Sequence, residues 1–243
     1  MVPEKLIGEF VERLRSAAGT NLIAVILYGS AAAGDYVADH SDVNLLCVLG
    51  ETSFPALAAL APAIEWWGKQ KHHPPLLMSA EEMRRSADVF SIEFLDMRRK
   101  HRLVWGEDIL KTLEIPMRLH RAQLEYELRE KTILLRQRLL VAARNAEAKW
   151  ELLLRSLSAF GTLFRHALIA LGDAGAGSKR EAAAVLGAKL GIDSTVFGQL
   201  LDIRENKDPK EMRRLEVDDL FARYLKLVGE VTAAVDRLLD PAA

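Results

Sequence analysis

The sequence predicts an α+β head, α/β-layered on a mixed sheet, followed by an all-α helical bundle. Three observations carry this reading. Leu22-Ile23-Ala24-Val25-Ile26-Leu27-Tyr28 is a continuous apolar run of strand length, rich in β-branched residues and closed by Gly29. Ile115-Pro116 marks a change of period, and beyond it almost every segment repeats its apolar residues at helical spacing. Those later segments are long, striped with Leu and joined by short loops, which is the pattern of antiparallel helices in a bundle. The domains that follow are a head over 1–115 and a bundle over 116–243.

Composition sets the outer bounds. The chain has 243 residues and is 50% hydrophobic, ample for a packed core. A single cysteine, Cys47, excludes an internal disulfide, and the expected compartment is a reducing cytoplasm. Met1-Val2-Pro3-Glu4-Lys5 shows no basic start leading into an apolar leader, and no apolar run approaches the roughly 20 residues of a membrane helix. Neither secretion nor membrane insertion is expected. The formal net charge is −1, with 12 basic against 16 acidic residues over 1–115 and 21 against 18 over 116–243. So mild an asymmetry argues against nucleic acid as a general partner.

Taken in order, Leu6, Ile7, Phe10, Val11 and Leu14 recur at helical spacing and make an amphipathic opening helix over 3–18. Gly19-Thr20-Asn21 ends it, and the apolar run 22–28 is a central strand covered on both faces. A tight Gly29-Ser30 turn, a short helical turn and a loop lead to a second strand from Asp42 to about Leu49. In that strand Val43, Leu45 and Cys47 share one face while Asp42, Asn44 and Leu46 share the other, because side chains alternate with period 2. Residues 54–70 form a helix that His72-His73-Pro74-Pro75 breaks. Leu76-Leu77-Met78 is a short strand, 80–85 a helical turn, and 89–97 reads as a further strand with Glu93 at its middle. The bundle helices are expected over about 117–143, 146–171, 178–190, 194–204 and 217–239.

Carboxylates on rigid strands can hold divalent metal against nucleotide phosphates, and a glycine turn opening a helix can meet phosphates through backbone N–H groups and a small hydroxyl. Asp42 suits the first task; Gly29 and Ser30 suit the second. At these residues the chain resembles the DNA polymerase beta-like nucleotidyltransferase superfamily. Its signature is Gly-Ser, a loop of about ten residues, Asp-x-Asp in a strand, and a third acidic residue on a neighbouring strand. Here Gly29-Ser30, Asp42-x-Asn44 and Glu93 occupy those places. The head-plus-bundle plan is similar to the bacterial branch that contains the aminoglycoside nucleotidyltransferases.

The resemblance implies Mg²⁺-dependent transfer of a nucleoside monophosphate from an NTP, chiefly AMP from ATP, to a hydroxyl of a small molecule or a protein. Asp42 and Glu93 are the implied catalytic carboxylates, Gly29 and Ser30 the nucleotide-binding pair, and Asp42, Asn44 and Glu93 the metal ligands. Asp96 competes with Glu93 for the third acidic place; three residues apart on a strand, the two would face opposite ways.

Asn44 is the departure, since the family pattern has Asp there. An amide oxygen can coordinate Mg²⁺ but brings no charge, and losing one charged ligand costs a few kcal/mol, where about 1.4 kcal/mol is tenfold in rate. A second reading therefore stands beside the enzyme: a nucleotide-binding or regulatory pseudo-nucleotidyltransferase. A third makes the helical half an oligomer interface on a vestigial head. The cluster Arg98-Arg99-Lys100-His101-Arg102 reads as a solvated turn, or as ion pairs with Glu107 and Asp108, ahead of a phosphate-binding patch.

Overall fold

A computed structural model of the chain describes residues 2–32, 43–173, 177–206 and 215–238. The chain divides into two compact units, Met1–Met117 and Arg118–Ala243.

The head unit is a four-stranded mixed sheet between two helical layers. Its strands are β1 (Leu22–Tyr28), β2 (Asn44–Leu49), β3 (Leu76–Ser79) and β4 (His101–Gly106), in the order β3-β2-β1-β4. β1 lies antiparallel to both β2 and β4, and β3 runs parallel to β2. The apolar run of β1 is central, as its lack of polar alternation predicts: Ala24, Val25, Ile26 and Leu27 are fully buried.

One face packs α1 (Glu4–Ala18) and α2 (Phe54–Lys69). There Ile7, Phe10 and Leu14 meet Val25, Leu27, Leu45, Cys47 and Trp67 in one cluster. Phe10 stacks on Trp67 at 4.5 Å, and the Trp67 indole N–H donates to the His73 carbonyl at 2.9 Å, so this tryptophan is core with its polar end satisfied. The opposite face packs α3 (Ala80–Ser86), α4 (Ser91–Arg99) and α5 (Ile109–Thr112). Ala24, Ile26, Leu46 and Val48 from the sheet meet Met83, Phe94, Met97 and Leu110. A capping box at Ser79 and Glu82 starts α3 directly off β3.

Two sequence expectations are corrected here. Residues 89–97 do not form a strand; 91–99 are helix α4. The period decides it, because Phe94 and Met97, three apart, are both buried against the sheet while Glu93 is exposed, which a strand's alternation cannot produce. The fourth strand is instead built from the basic cluster: Arg98 and Arg99 close α4, and His101 and Arg102 open β4.

The second unit is all helical: α6 (His120–Ala142), α7 (Ala146–Ala170), α8 (Lys179–Leu190), α9 (Thr195–Asn206) and α10 (Val217–Arg237). Asn145 caps α7, accepting the Ala148 N–H at 3.1 Å, and a Ser178–Glu181 capping box starts α8. The core is aromatic: Phe160 meets Tyr224 edge-on at 5.7 Å, Phe197 packs on Phe164 at 5.1 Å, and Ser156 donates to the Tyr224 hydroxyl at 2.9 Å. Arg121 donates to the last carbonyls of α10, those of Val235 and Asp236, at 2.8 Å each, the favourable place for a cation at a helix C-terminus. The sequence expectation that no segment reaches membrane-spanning character is also corrected: α7 is long and apolar enough by length and composition. Its apolar window is 56% buried, and it packs on α6, α8, α9 and α10 as the central helix of the unit.

Candidate active site

The C-terminal end of β1 gathers the polar groups of the head on one face of the sheet. Strand pairing sets Tyr28 opposite Asn44 on one side and opposite His101 on the other. Directly opposed residues project to the same face, so Asn44, Tyr28 and His101 form a row across β2, β1 and β4. The row continues the line of Ala24, Ile26, Leu46 and Val48, on the face covered by α3, α4 and α5. The alternation expected for the second strand holds over the described residues, with Val43, Leu45 and Cys47 on the α1–α2 face.

Gly29 follows Tyr28 with φ +78°, a conformation that penalises any residue with a Cβ. A Cβ placed there would stand 3.3 Å from the Asn44 amide nitrogen, so the turn and the asparagine are in close contact. The Gly29 N–H donates to the Lys100 carbonyl at 3.1 Å, which ties the turn to the entry of β4. Gly29, Ser30 and Ala31 form a single 3₁₀ turn, with Gly29 and Ser30 half-exposed and Ala31 buried.

At the other end of the row the His101 ring is held on both sides. Its Nδ1 lies 3.0 Å from the Arg98 carbonyl oxygen, and its Nε2 lies 3.0 and 3.2 Å from the two carboxylate oxygens of Asp108. Lys111 Nζ approaches the same carboxylate at 3.1 Å. Burial pushes Asp108 up, but the hydrogen bonds from Lys111 and His101 and their charges outweigh it and hold the carboxyl below its ordinary value. Burial alone pushes the Tyr28 phenol up. Arg102 faces the other way and pairs with Glu4 of α1 at 2.8 Å, so the basic cluster is spent on structure and not on one patch.

Of the residues read from sequence, Gly29, Ser30 and Asn44 come together at this sheet end. Asp42, two residues before Asn44, lies outside the described residues, as does the loop before it. Glu93 is exposed in the first turn of α4, so its place on a strand, and the face-selection argument between it and Asp96 that rests on a strand, do not hold. Among the described residues no group of three or more His, Cys, Asp or Glu side chains could hold a metal ion. Asn44 with its neutral amide is the member of the expected ligand set found here, and the described residues do not by themselves fit Mg²⁺. The ion pair expected between the basic cluster and Asp108 is made by His101; what sequence reasoning missed is that the pair sits in the site row. The signal was there in a polar residue opening an alternating segment, His101-Arg102-Leu103-Val104-Trp105, hidden inside a run of basic residues.

Within the head, residues 7–101 match the family model described as a nucleotidyltransferase domain. The whole chain is similar in fold to the spectinomycin adenyltransferase AAD(9) from Enterococcus faecialis, solved with ATP and spectinomycin. That likeness has a TM-score of 0.55 at 13% identity and covers 96% of this chain and 98% of that one. No curated protein sequence matches the chain.

Proposed function

We propose that the protein transfers the nucleoside monophosphate of an NTP, AMP from ATP, to a hydroxyl of a small molecule. The observation that carries this is the Gly29 turn, at φ +78° against Asn44, within a domain matched by the nucleotidyltransferase model. The likeness to a protein solved with ATP and spectinomycin supports ATP as donor and a small-molecule acceptor.

In the reaction the acceptor oxygen attacks the α-phosphorus, the bond to the β-phosphate oxygen breaks, pyrophosphate leaves, and the hydroxyl proton passes to a base. Gly29 serves by its backbone, because its N–H is already given to Lys100; the phosphates fall to the N–H groups and hydroxyl that begin at Ser30. Asp42 is proposed to meet the metal side of the nucleotide beside the Asn44 amide. Mg²⁺, when bound, supplies charge neutralisation to the phosphates.

A second reading rests on Asn44 itself, which puts a neutral group where a carboxylate is expected: the domain binds nucleotide without turning it over. Incubation with α-labelled ATP, Mg²⁺ and a panel of aminocyclitol and aminoglycoside acceptors separates the two. Label in an acceptor with wild type and none with Asp42→Ala supports transfer; equal signals from both sink the proposed role of Asp42. Nucleotide binding by calorimetry with no pyrophosphate release establishes the second reading. Glu93→Gln in the same assay assigns the third carboxylate to α4 or removes it.

A further inference from the structure

One long face of α6 is exposed among the described residues of its unit. Tyr126, Ile133 and Leu140 recur every seven residues and are 63%, 53% and 78% exposed, and Val141 beside Leu140 is 91% exposed. Their inward-facing counterparts, Leu124, Leu128 and Leu135, are buried, so α6 is apolar on two sides. Helices of soluble proteins expose single large apolar residues routinely, but a seven-residue repeat is the periodicity of a helix seam.

Next to the stripe runs a groove between α6 and α10. Its volume is about 310 Å³, and Ile133, Gly229 and Ala233 line it together with the polar side chains of Thr132, Arg136 and Asp236. Nothing lies within 4 Å of where a Cβ on Gly229 would be, so the hollow is open to a side chain from outside.

The charges along α6 say what fits. Over 131–144 the chain carries Lys131, Arg136, Arg138 and Arg144 and no acidic residue. The preceding turns hold all the carboxylates of α6, Glu125, Glu127 and Glu130, together with Arg121 and Arg129. Among the described residues no carboxylate pairs with Arg136 or Arg138. A helix with all its carboxylates in the first half and only cations in the second is complementary to itself when reversed.

We propose that α6 pairs antiparallel with α6 of a second copy of this chain, crossing about Ile133. In a two-fold arrangement centred there, position 133+k of one copy meets 133−k of the other. Leu140 then meets the partner copy's position 126, and Arg136 meets position 130, so the dimer makes the Tyr126–Leu140 and Glu130–Arg136 contacts twice each. Ile133 is the knob available to the hollow at Gly229 and Ala233. The seam is polar at its rim and apolar along its centre, the build of a specific interface of modest size.

Sedimentation equilibrium of the full chain tests this. A monomer–dimer equilibrium is expected with a dissociation constant on the order of ten micromolar, in keeping with a small interface. Ile133→Glu and Leu140→Glu, both at exposed positions, should each weaken it by at least about tenfold, with unchanged circular dichroism and melting. Glu130→Arg and Arg136→Glu alone should each weaken self-association about fivefold, and the double variant should return it to within about twofold of wild type. Mixing the two single variants should give a heterodimer tighter than either forms alone, which only antiparallel self-pairing produces. A chain monomeric throughout, a dimer indifferent to Ile133 and Leu140, or a double variant no better than the singles overturns the proposal. So does a monomer that floats with anionic phosphatidylserine vesicles, since the stripe would then be a lipid-facing surface.

Discussion

Asn44 and Gly29 touch across the end of the sheet: the asparagine amide nitrogen stands 3.3 Å from the point a Gly29 side chain would occupy. Tyr28 brings them together by pairing with Asn44 one residue before the chain turns. Gly29→Ala therefore adds strain at φ +78° and presses on Asn44 at once. The cost of a left-handed backbone is about 1–2 kcal/mol, and displacement of Asn44 should also lower nucleotide affinity. Urea unfolding measures the first and calorimetry with ATP the second. A variant as stable as wild type that binds ATP equally well would mean the turn relaxes freely.

Asn44→Asp puts a charge where the amide now sits, at the start of β2 and half-exposed. If Asp42 and position 44 face the same ligand, the added carboxylate should raise the affinity for Mg²⁺ in the presence of ATP by about tenfold, equivalent to about 1.4 kcal/mol. Manganese electron paramagnetic resonance titration reads that directly, apart from any turnover. Activity appearing only in this variant would make the natural protein a nucleotide binder. An unchanged titration would place position 44 outside the metal's reach.

Much of this site was legible because strand alternation is strict. The apolar run of β1, the Gly29 turn and the placement of Asn44 on the face opposite Leu45 all follow from period 2 and from glycine's access to positive φ. The segment around Glu93 was not, because Ile92, Phe94 and Asp96 mimic alternation over the length in which Phe94 and Met97 also make a helical face. Short apolar runs carry both periods, and packing against Ile26 and Leu46 decided for the helix. The pairing of the basic cluster with Asp108 was legible from its nearness in sequence, but the place of His101 in the site row was not, because only strand pairing sets it opposite Tyr28. The helices of the second unit were legible from their length and Leu spacing, whereas the seam on α6 needed burial to tell its two apolar sides apart.

Cys47 offers a readout of the head's integrity. It is fully buried in the middle of β2, and burial pushes its thiol up to about 12. The thiolate is the reactive form, so alkylation at pH 8 should be negligible in the native protein and rapid in denaturant. The labelling rate over a urea series should then follow unfolding of the sheet that carries the site. Fast labelling of the native protein at low urea would show β2 opening locally, independent of global unfolding.

Asp108 gives the site row its acid sensitivity. Its side chain is 13% exposed and clasped by His101 and Lys111, and its carboxyl sits below the ordinary 3.8. A carboxyl whose folded value lies below its unfolded value binds fewer protons when folded. The stability it contributes is complete above about pH 4 and is lost as the pH falls through the folded value. Asp108→Asn removes the charge that His101 and Lys111 face, and should cost about 1–3 kcal/mol at pH 7, where hydrogen bonds to an ionised group are at full strength. Below the folded value the wild-type carboxyl is protonated and resembles the amide, so the two proteins should converge. Urea midpoints between pH 7 and pH 3 should therefore show a gap that is widest at neutral pH and narrows below about pH 4. A gap constant with pH would assign the loss to packing of the side chain and not to its charge.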